Sequence, residues 1–188
     1  MYNKKGAKFL NNLLVVVDMQ KDFVDGSLGT AEARAIVPNV IKKIEGWDGD
    51  IIATLDTHDG NYLNTREGRF LPVPHCIVST DGHCIETGVF NALQNKKSGA
   101  VTLINKPTFG SVRLQNAAVT ERYDYIELVG LCTDICVVSN ALLIKASLPE
   151  ADIVVDASCC AGTTPEAHDA ALRTMASCQI VITNGSNN

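Results

Sequence analysis

Two cysteines, Cys132 and Cys136, stand four residues apart in the stretch GLCTDICVV, which runs from Gly130 to Val138. The chain passes there from a strand-like run into a helical one. Four uses of a thiol fit such a junction: a small core residue, a metal ligand, half of a disulfide, or a nucleophile. Asp134 is placed to cap the following helix, which puts Cys136 in its first turn. Unpaired backbone N–H groups and the positive end of the helix dipole favour a thiolate there. The same groups can hold an oxyanion once sulfur has attacked a carbonyl. A thiol turned into the core is the competing reading.

Other side chains with chemical potential lie far away in sequence. Asp18 closes the apolar run LLVVVD and opens DMQKDF. A carboxylate at the end of a buried strand can take a thiol proton and return it to a leaving amine; an Asp there can equally form a turn or a cap. Lys106, in NKPTFG, can lower a thiol pKa and offset the Asp18 charge, or lie solvated at the surface. Asp56 and His58, in LDTHDG, are two residues apart at a strand end and can reach one ion together. His75, in VPHC, follows His58 by seventeen residues. A carboxylate with two imidazoles suits Zn, Fe or Mn, with water completing the coordination.

The elements that must position these groups alternate regularly. Leu13–Asp18, Asp50–Asp56, Ala100–Lys106, Tyr123–Gly130, Ala151–Asp156 and Gln179–Thr183 are short apolar or β-branched runs, each of strand length. Ala35–Trp47 carries apolar residues at helical spacing, Asp134–Leu148 forms a second helix, and Thr164–Ser177 a third, with Thr164 as N-cap and Pro165 in its first position. Buried strands alternating with helices imply a parallel sheet covered on both faces, a doubly wound three-layer α/β sandwich. Ligands of such sheets bind outside the carboxyl ends of the strands. Asp18, Asp56, Lys106 and the Gly130 stretch are four such ends. The long connection from Thr57 to about His83 has the length of a functional loop.

The 188 residues suit a single domain, 1–188, with residues 1–12 and 184–188 as tails. Seven cysteines, an odd number in a chain of this size and with no CxxC pair, argue against a disulfide framework and for a cytoplasmic protein. A net charge of −5 without a basic, aromatic-interleaved cluster excludes a non-specific nucleic-acid binder. No apolar run approaches a membrane span of about 20 residues, and the first residues lack the apolar stretch of a secretory signal.

DMQKDF, NKPTFG and GLCTDICV, in this order and at these separations, together with TTPEAHDAALRTM near the C-terminus, resemble the isochorismatase-like cysteine hydrolases from about Leu13 to Ile182. The resemblance implies a six-stranded parallel sheet and an Asp–Lys–Cys triad on Asp18, Lys106 and Cys136. It implies a cis peptide before Cys132, with the Cys132 and Cys136 N–H groups as oxyanion hole and the Cys132 side chain a bystander. Metal-dependent nicotinamidases of the family match at Asp56, His58 and His75, with Glu67 as a fourth ligand by position and Asn64 as the fallback. Phe23 and Phe109 match residues that sandwich a substrate ring. His83 and His168 match no ligand, which leaves His83 as a loop residue near the pocket and His168 on a helix surface. Two departures bear on the pocket wall: the Trp of the metal loop is absent, with Tyr62 or Phe70 as substitutes, and Ser79 stands where a glycine is usual.

Together these readings imply a metal-containing cysteine amidohydrolase, with Zn as the first choice of divalent ion and Fe or Mn as alternatives. The implied reaction is nicotinamide plus water to nicotinate and ammonia through a thioester, with pyrazinamide a further substrate. The alternatives are a relative acting on another small amide, carbamoyl or ureido compound, and a non-catalytic small-molecule-binding protein. A dinucleotide-dependent oxidoreductase would need G-x-G-x-x-G where DMQKDF stands. The implied partners are a small amide and further copies of the chain in a homo-oligomer.

Overall fold

A computed structural model describes residues 11–185. Its strands are β1 (Asn12–Val17), β2 (Asp50–Asp56), β3 (Val101–Lys106), β4 (Tyr125–Leu131), β5 (Asp152–Ala161) and β6 (Val181–Thr183). They form one all-parallel sheet in the order β3-β2-β1-β4-β5-β6. This is the doubly wound α/β sandwich that the alternation of elements implies. The strands lie close to their expected places, except that β5 runs on to Ala161 and β6 begins at Val181.

The helices are α1 (Lys21–Val24), α2 (Ala31–Gly46), α3 (Arg66–Phe70), α4 (Thr87–Gln94), α5 (Val112–Glu121), α6 (Val138–Ser147) and α7 (Pro165–Ser177). The continuous apolar run of β1 feeds a core on each face, because successive strand side chains point to opposite sides. Leu13, Val15 and Val17 pack with Ile126 and Leu128 of β4 beneath α5, α6 and α7. Leu14 and Val16 pack with Ile51 and Ala53 of β2 beneath α1, α2 and α4.

Helix α2 starts at Ala31 rather than Ala35, because the Thr30 hydroxyl accepts from the Ala33 N–H at 2.9 Å. Its buried residues Ala33, Ile36, Val40 and Ile44 form one stripe, with Pro38 exposed on another side. The sequence did not announce α4 and α5. Helix α5 buries only Leu114 and Ala118, one pair at i, i+4, too narrow a stripe for periodicity to register.

From β1 the chain winds through β2 to β3, then returns to the other side of β1 for β4, β5 and β6. The reversal leaves a crevice at the carboxyl ends of β1 and β4. Val17 is in register with Thr54 on one side and Gly130 on the other. Gly130 has φ of 117°, and a Cβ on it would lie 2.1 Å from the Val17 carbonyl oxygen, so only glycine lets the two strand ends close up.

Residues 1–10 and 186–188 of the expected tails lie outside the described residues. The remainder of those segments is tied into the fold: Asn12 opens β1, and the Asn184 side chain donates to Asp156 at 3.0 Å. Among the described residues no helix is long and apolar enough to cross a membrane.

Candidate active site

Four strand ends deliver their side chains to one point. Asp18 follows β1, with φ of 47°, a left-handed conformation that Asp tolerates better than most residues. Its N–H bonds the Thr54 carbonyl at 3.2 Å, and its Oδ1 accepts from the Thr54 hydroxyl at 2.7 Å, so β2 fixes both backbone and carboxylate. Lys106 ends β3, which stops there because Pro107 cannot continue the ladder. It is wholly buried, with Nζ 2.7 Å from Asp18 Oδ2, 3.2 Å from Asp56 Oδ1 and 3.3 Å from Cys136 Sγ.

Cys136 lies in a π-helical turn, Thr133–Val137, between β4 and α6. The Ile135 and Val137 N–H groups both bond the Cys132 carbonyl, at 3.1 and 3.0 Å, which widens the turn. The Leu131–Cys132 peptide is cis. Asp134 does not cap this helix. Its carboxylate instead accepts from the Thr163 N–H at 2.8 Å and the Thr163 hydroxyl at 2.6 Å, because the turn opens without a side-chain cap and aims Asp134 at the β5–α7 corner.

The charges settle the resting protonation. Burial drives the Lys106 ammonium toward a lower pKa, but Asp18, Cys136 and Asp56 outweigh it and hold the group firmly protonated. Burial pushes Asp18 up, Lys106 pulls it back, and Asp56 adds to the rise. Burial and then Asp18 push the Cys136 thiol well above its ordinary value, and Lys106 only partly offsets them. Burial thus works against a thiolate stabilised in advance by lysine and helix dipole. It favours the protonated thiol, and the Lys106 ammonium bridges it, 3.3 Å from Sγ and 2.7 Å from the Asp18 carboxylate.

Beside this group a second cluster forms from the long Thr57–His83 connection. Ligand atoms of Asp56, His58, Glu67 and His75 all lie within 4.8 Å of one another. His58 Nε2 is 2.8 Å and His75 Nε2 3.4 Å from Asp56 Oδ2, and the same nitrogens are 3.6 and 3.8 Å from Glu67 Oε1. Burial raises Asp56, but hydrogen bonds from His58 and His75 and the Lys106 charge outweigh it and hold the carboxylate ionised. His75 Nδ1–H donates to the Val73 carbonyl at 2.8 Å, which turns Nε2 toward the cluster, where a bound cation would replace the proton that Nε2 shares with Asp56. Two carboxylates and two imidazoles converging on one point are a donor set that a single divalent cation satisfies.

Local sequence explains each placement. Thr65 caps α3 by accepting from Gly68 N–H at 3.0 Å, which sets Glu67 in the first turn. Gly68 has no room for a Cβ, which would fall 2.1 Å from the Tyr62 carbonyl. Asn64 does not join the cluster: its side chain donates to Asn61 at 2.7 Å and faces solvent. Of the two substitutes for tryptophan, Tyr62 is the one placed to act. Its buried ring lies 4.8 Å from His58 and 5.0 Å from His75, whereas Phe70 is 78% exposed. Ser79 adopts φ of 68°, where glycine would rest more easily, but it is exposed and does not line the pocket.

Both clusters open on a cavity of about 250 Å³. Phe23 and Phe109 line it, the first nearly buried and the second 46% exposed at the mouth. Cys132 lines it too, its thiol pushed up to about 12 by burial. No lysine or arginine is among the lining residues. His83 stays outside the metal cluster, against Thr57 at 3.1 Å. His168, expected on the helix surface, is half-buried instead, because α7 packs its first turn against the π turn and brings Nδ1 within 2.8 Å of the Thr133 hydroxyl.

Three positioning residues escaped the sequence reading. Gln20 accepts from the Asp56 N–H at 2.7 Å and donates to the Asp56 and His83 carbonyls at 2.9 Å. Asn140 ties the Ser111 N–H and the Phe109 carbonyl to the Cys136 carbonyl. Asp22 accepts from the Cys76 N–H at 2.8 Å and so sets the peptide next to His75. The only advance signal was a polar residue inside an otherwise apolar stripe, as at Asn140.

Solved structures share this architecture. The nicotinamidase/pyrazinamidase of Bacillus subtilis is 24% identical, with a TM-score of 0.79 over 92% of this chain and 99% of that one. The pyrazinamidase of Pyrococcus horikoshii, solved in complex with zinc, is 26% identical, with a TM-score of 0.74 over 93% and 99%. The N-carbamoylsarcosine amidase of Thermoplasma acidophilum is 21% identical, with a TM-score of 0.71 over 95% and 99%. A search of curated proteins finds no match. The model of the isochorismatase domain matches residues 12–186, nearly the whole length, and the chain belongs to the isochorismatase family of hydrolases.

Proposed function

We propose that this amidohydrolase is a nicotinamidase, converting nicotinamide to nicotinate and ammonia and accepting pyrazinamide as well. The observation that carries the reading is the pairing of two clusters on one small pocket. A thiol, a carboxylate and an ammonium meet within hydrogen-bonding range, next to four convergent metal donors. The pocket between them is mainly apolar, and no lysine or arginine lines it. A neutral one-ring heteroaromatic amide suits it. An N-carbamoyl amino acid would bring a carboxylate with no lysine or arginine to meet it. The resemblance to a zinc-bound pyrazinamidase supports the same choice.

In this reading Asp18 takes the Cys136 proton as sulfur attacks the carboxamide carbon. The backbone N–H groups of Cys132 and Cys136 hold the oxyanion. The C–N bond breaks, and Asp18 passes its proton to the departing ammonia. Water then attacks the thioester, giving a proton to Asp18, which returns it to sulfur as nicotinate leaves. Lys106, paired with Asp18 at 2.7 Å, opposes the upward push of burial on that carboxyl and balances the charge that moves onto the carbonyl oxygen. Phe23 and Phe109 flank the ring. A divalent cation held by Asp56, His58, Glu67 and His75 would supply a Lewis acid for the ring nitrogen.

The test is ammonia release from nicotinamide and pyrazinamide set against a panel of N-carbamoyl amino acids and ureido compounds, with metal content measured on the same sample. Turnover of the two pyridine-type amides with about one bound metal per chain is the expected result. Preference for any carbamoyl or ureido compound would displace the reading in favour of another amidase of the family.

A further inference from the structure

The TTPEAH segment has no part in the chemistry above, yet it grips the nucleophile turn from two sides. Thr133 and Asp134 lie between the two residues whose N–H groups serve the oxyanion. Thr133 is wholly buried, and its hydroxyl meets His168 Nδ1 at 2.8 Å. The next residue, Asp134, is held by both the N–H and the hydroxyl of Thr163. Gly162 closes the joint: a Cβ there would lie 2.8 Å from the His168 nitrogen of the backbone and 2.9 Å from Asp134 Oδ1. Gly162 and Thr163 also line the substrate cavity.

We propose that His168 and Thr163 are positioning residues for catalysis: through Thr133 and Asp134 they fix the orientation of the Cys132–Cys136 turn, and with it the oxyanion hole. The inference rests on Cys136 being an acylating nucleophile, as in the reading above, and not on nicotinamide being its substrate. Neither residue touches the reacting atoms. Their effect is to stop the π turn from relaxing, which would turn its N–H groups away from the developing charge. Thr133 is the contact point because its side chain is the buried one, with the His168 imidazole beside it.

The experiment compares wild type with Thr133→Val, which is nearly isosteric, and with His168→Ala and His168→Asn. Asn places a polar atom close to the position of Nδ1. Two rates are followed at Cys136 by mass spectrometry of its peptide. One is acylation by p-nitrophenyl acetate, in which the S–C bond forms, the ester C–O bond breaks, p-nitrophenolate leaves and the thiol proton passes to Asp18. The other is alkylation by iodoacetamide, which needs the thiol but no oxyanion hole. The expected result is acylation slowed roughly tenfold to a hundredfold in Thr133→Val and His168→Ala, the range for losing part of an oxyanion hole. Alkylation should stay within about twofold, and His168→Asn should recover most of the acylation rate. Acylation at the wild-type rate in His168→Ala, a parallel loss of alkylation, or an Asn variant no better than Ala at equal melting temperature would overturn the proposal. Wild-type acylation without nicotinamide turnover would sink the substrate assignment and leave this inference standing.

Discussion

At the scale of single residues the site is a problem in charge. One ammonium, Lys106, serves two carboxylates and a thiol in a wholly buried place. Desolvation alone would neutralise such a group; the paired carboxylates keep it charged. Burial and Asp18 push the thiol toward its protonated form, so in the proposed mechanism its reactivity depends on Asp18 taking the proton during attack rather than on a standing thiolate. Cys136→Ala should therefore abolish turnover by about a thousandfold or more, with the melting temperature and metal content little changed. Steady-state rates, thermal unfolding and elemental analysis of the purified variant read the three quantities. A loss smaller than about tenfold would remove Cys136 from the nucleophile's role. The roles of Asp56, His58, Glu67 and His75 are tested at the same scale. Glu67→Gln should weaken zinc binding by about tenfold or more, measured by competition with a chromophoric chelator. Stripping the metal should lower the melting temperature, because an ion bound only by the folded chain at 100 times its dissociation constant adds about 2.7 kcal/mol of stability.

At the scale of elements, the site exists because four strand ends stop in the right places. Pro107 stops β3 at Lys106, and the left-handed turn at Asp18 swings its carboxylate across to Thr54. A tight joint lies at Gly130 against Val17, where β4 comes beside β1. Gly130→Ala must open that joint and adopt a positive φ as well. We expect a loss of about 2 kcal/mol or more in urea unfolding, larger than an ordinary surface change, and a matching fall in Cys136 acylation. The connection that carries the candidate metal donors is an element in its own right: Tyr62 packs against both histidines, and its hydroxyl donates to the Leu71 carbonyl at 2.9 Å.

At the scale of the molecule, the two helical layers are joined to the sheet by apolar cores and, on the α2 side, by a partly buried charge cluster remote from the site. Lys43 of α2 lies 2.5 Å from Glu127 of β4 and 2.7 Å from Asp156 of β5. Burial raises Asp156, but the bonds from Lys43, Ser158 and Asn184 outweigh it and hold the carboxyl below its ordinary 3.8. A carboxyl depressed in this way stabilises the fold above pH 3.8 and loses that contribution as pH falls through its folded value. Asp156→Asn should cost about 2 kcal/mol or more in urea unfolding at pH 7, and the gap to wild type should narrow as the acid is approached. A gap that stays constant down to pH 3 would show that Asp156 contributes by packing instead of charge.

Much of this was legible in the linear chain. The alternation of apolar runs with helical stripes determined a doubly wound parallel sheet, because a strand buried on both faces needs an unbroken run of Val, Ile and Leu. Lying at strand ends was enough to nominate Asp18, Asp56, Lys106 and the Cys132–Cys136 stretch, since such sheets expose their carboxyl ends at one rim. Tertiary structure alone decided what these residues do to one another. Whether Lys106 lowers the thiol or Asp18 raises it depends on distances of a few ångströms and on burial, neither of which is written in local sequence. The same holds for Gln20, Asn140 and His168, whose partners lie tens of residues away, so that their polarity could be seen but its purpose could not.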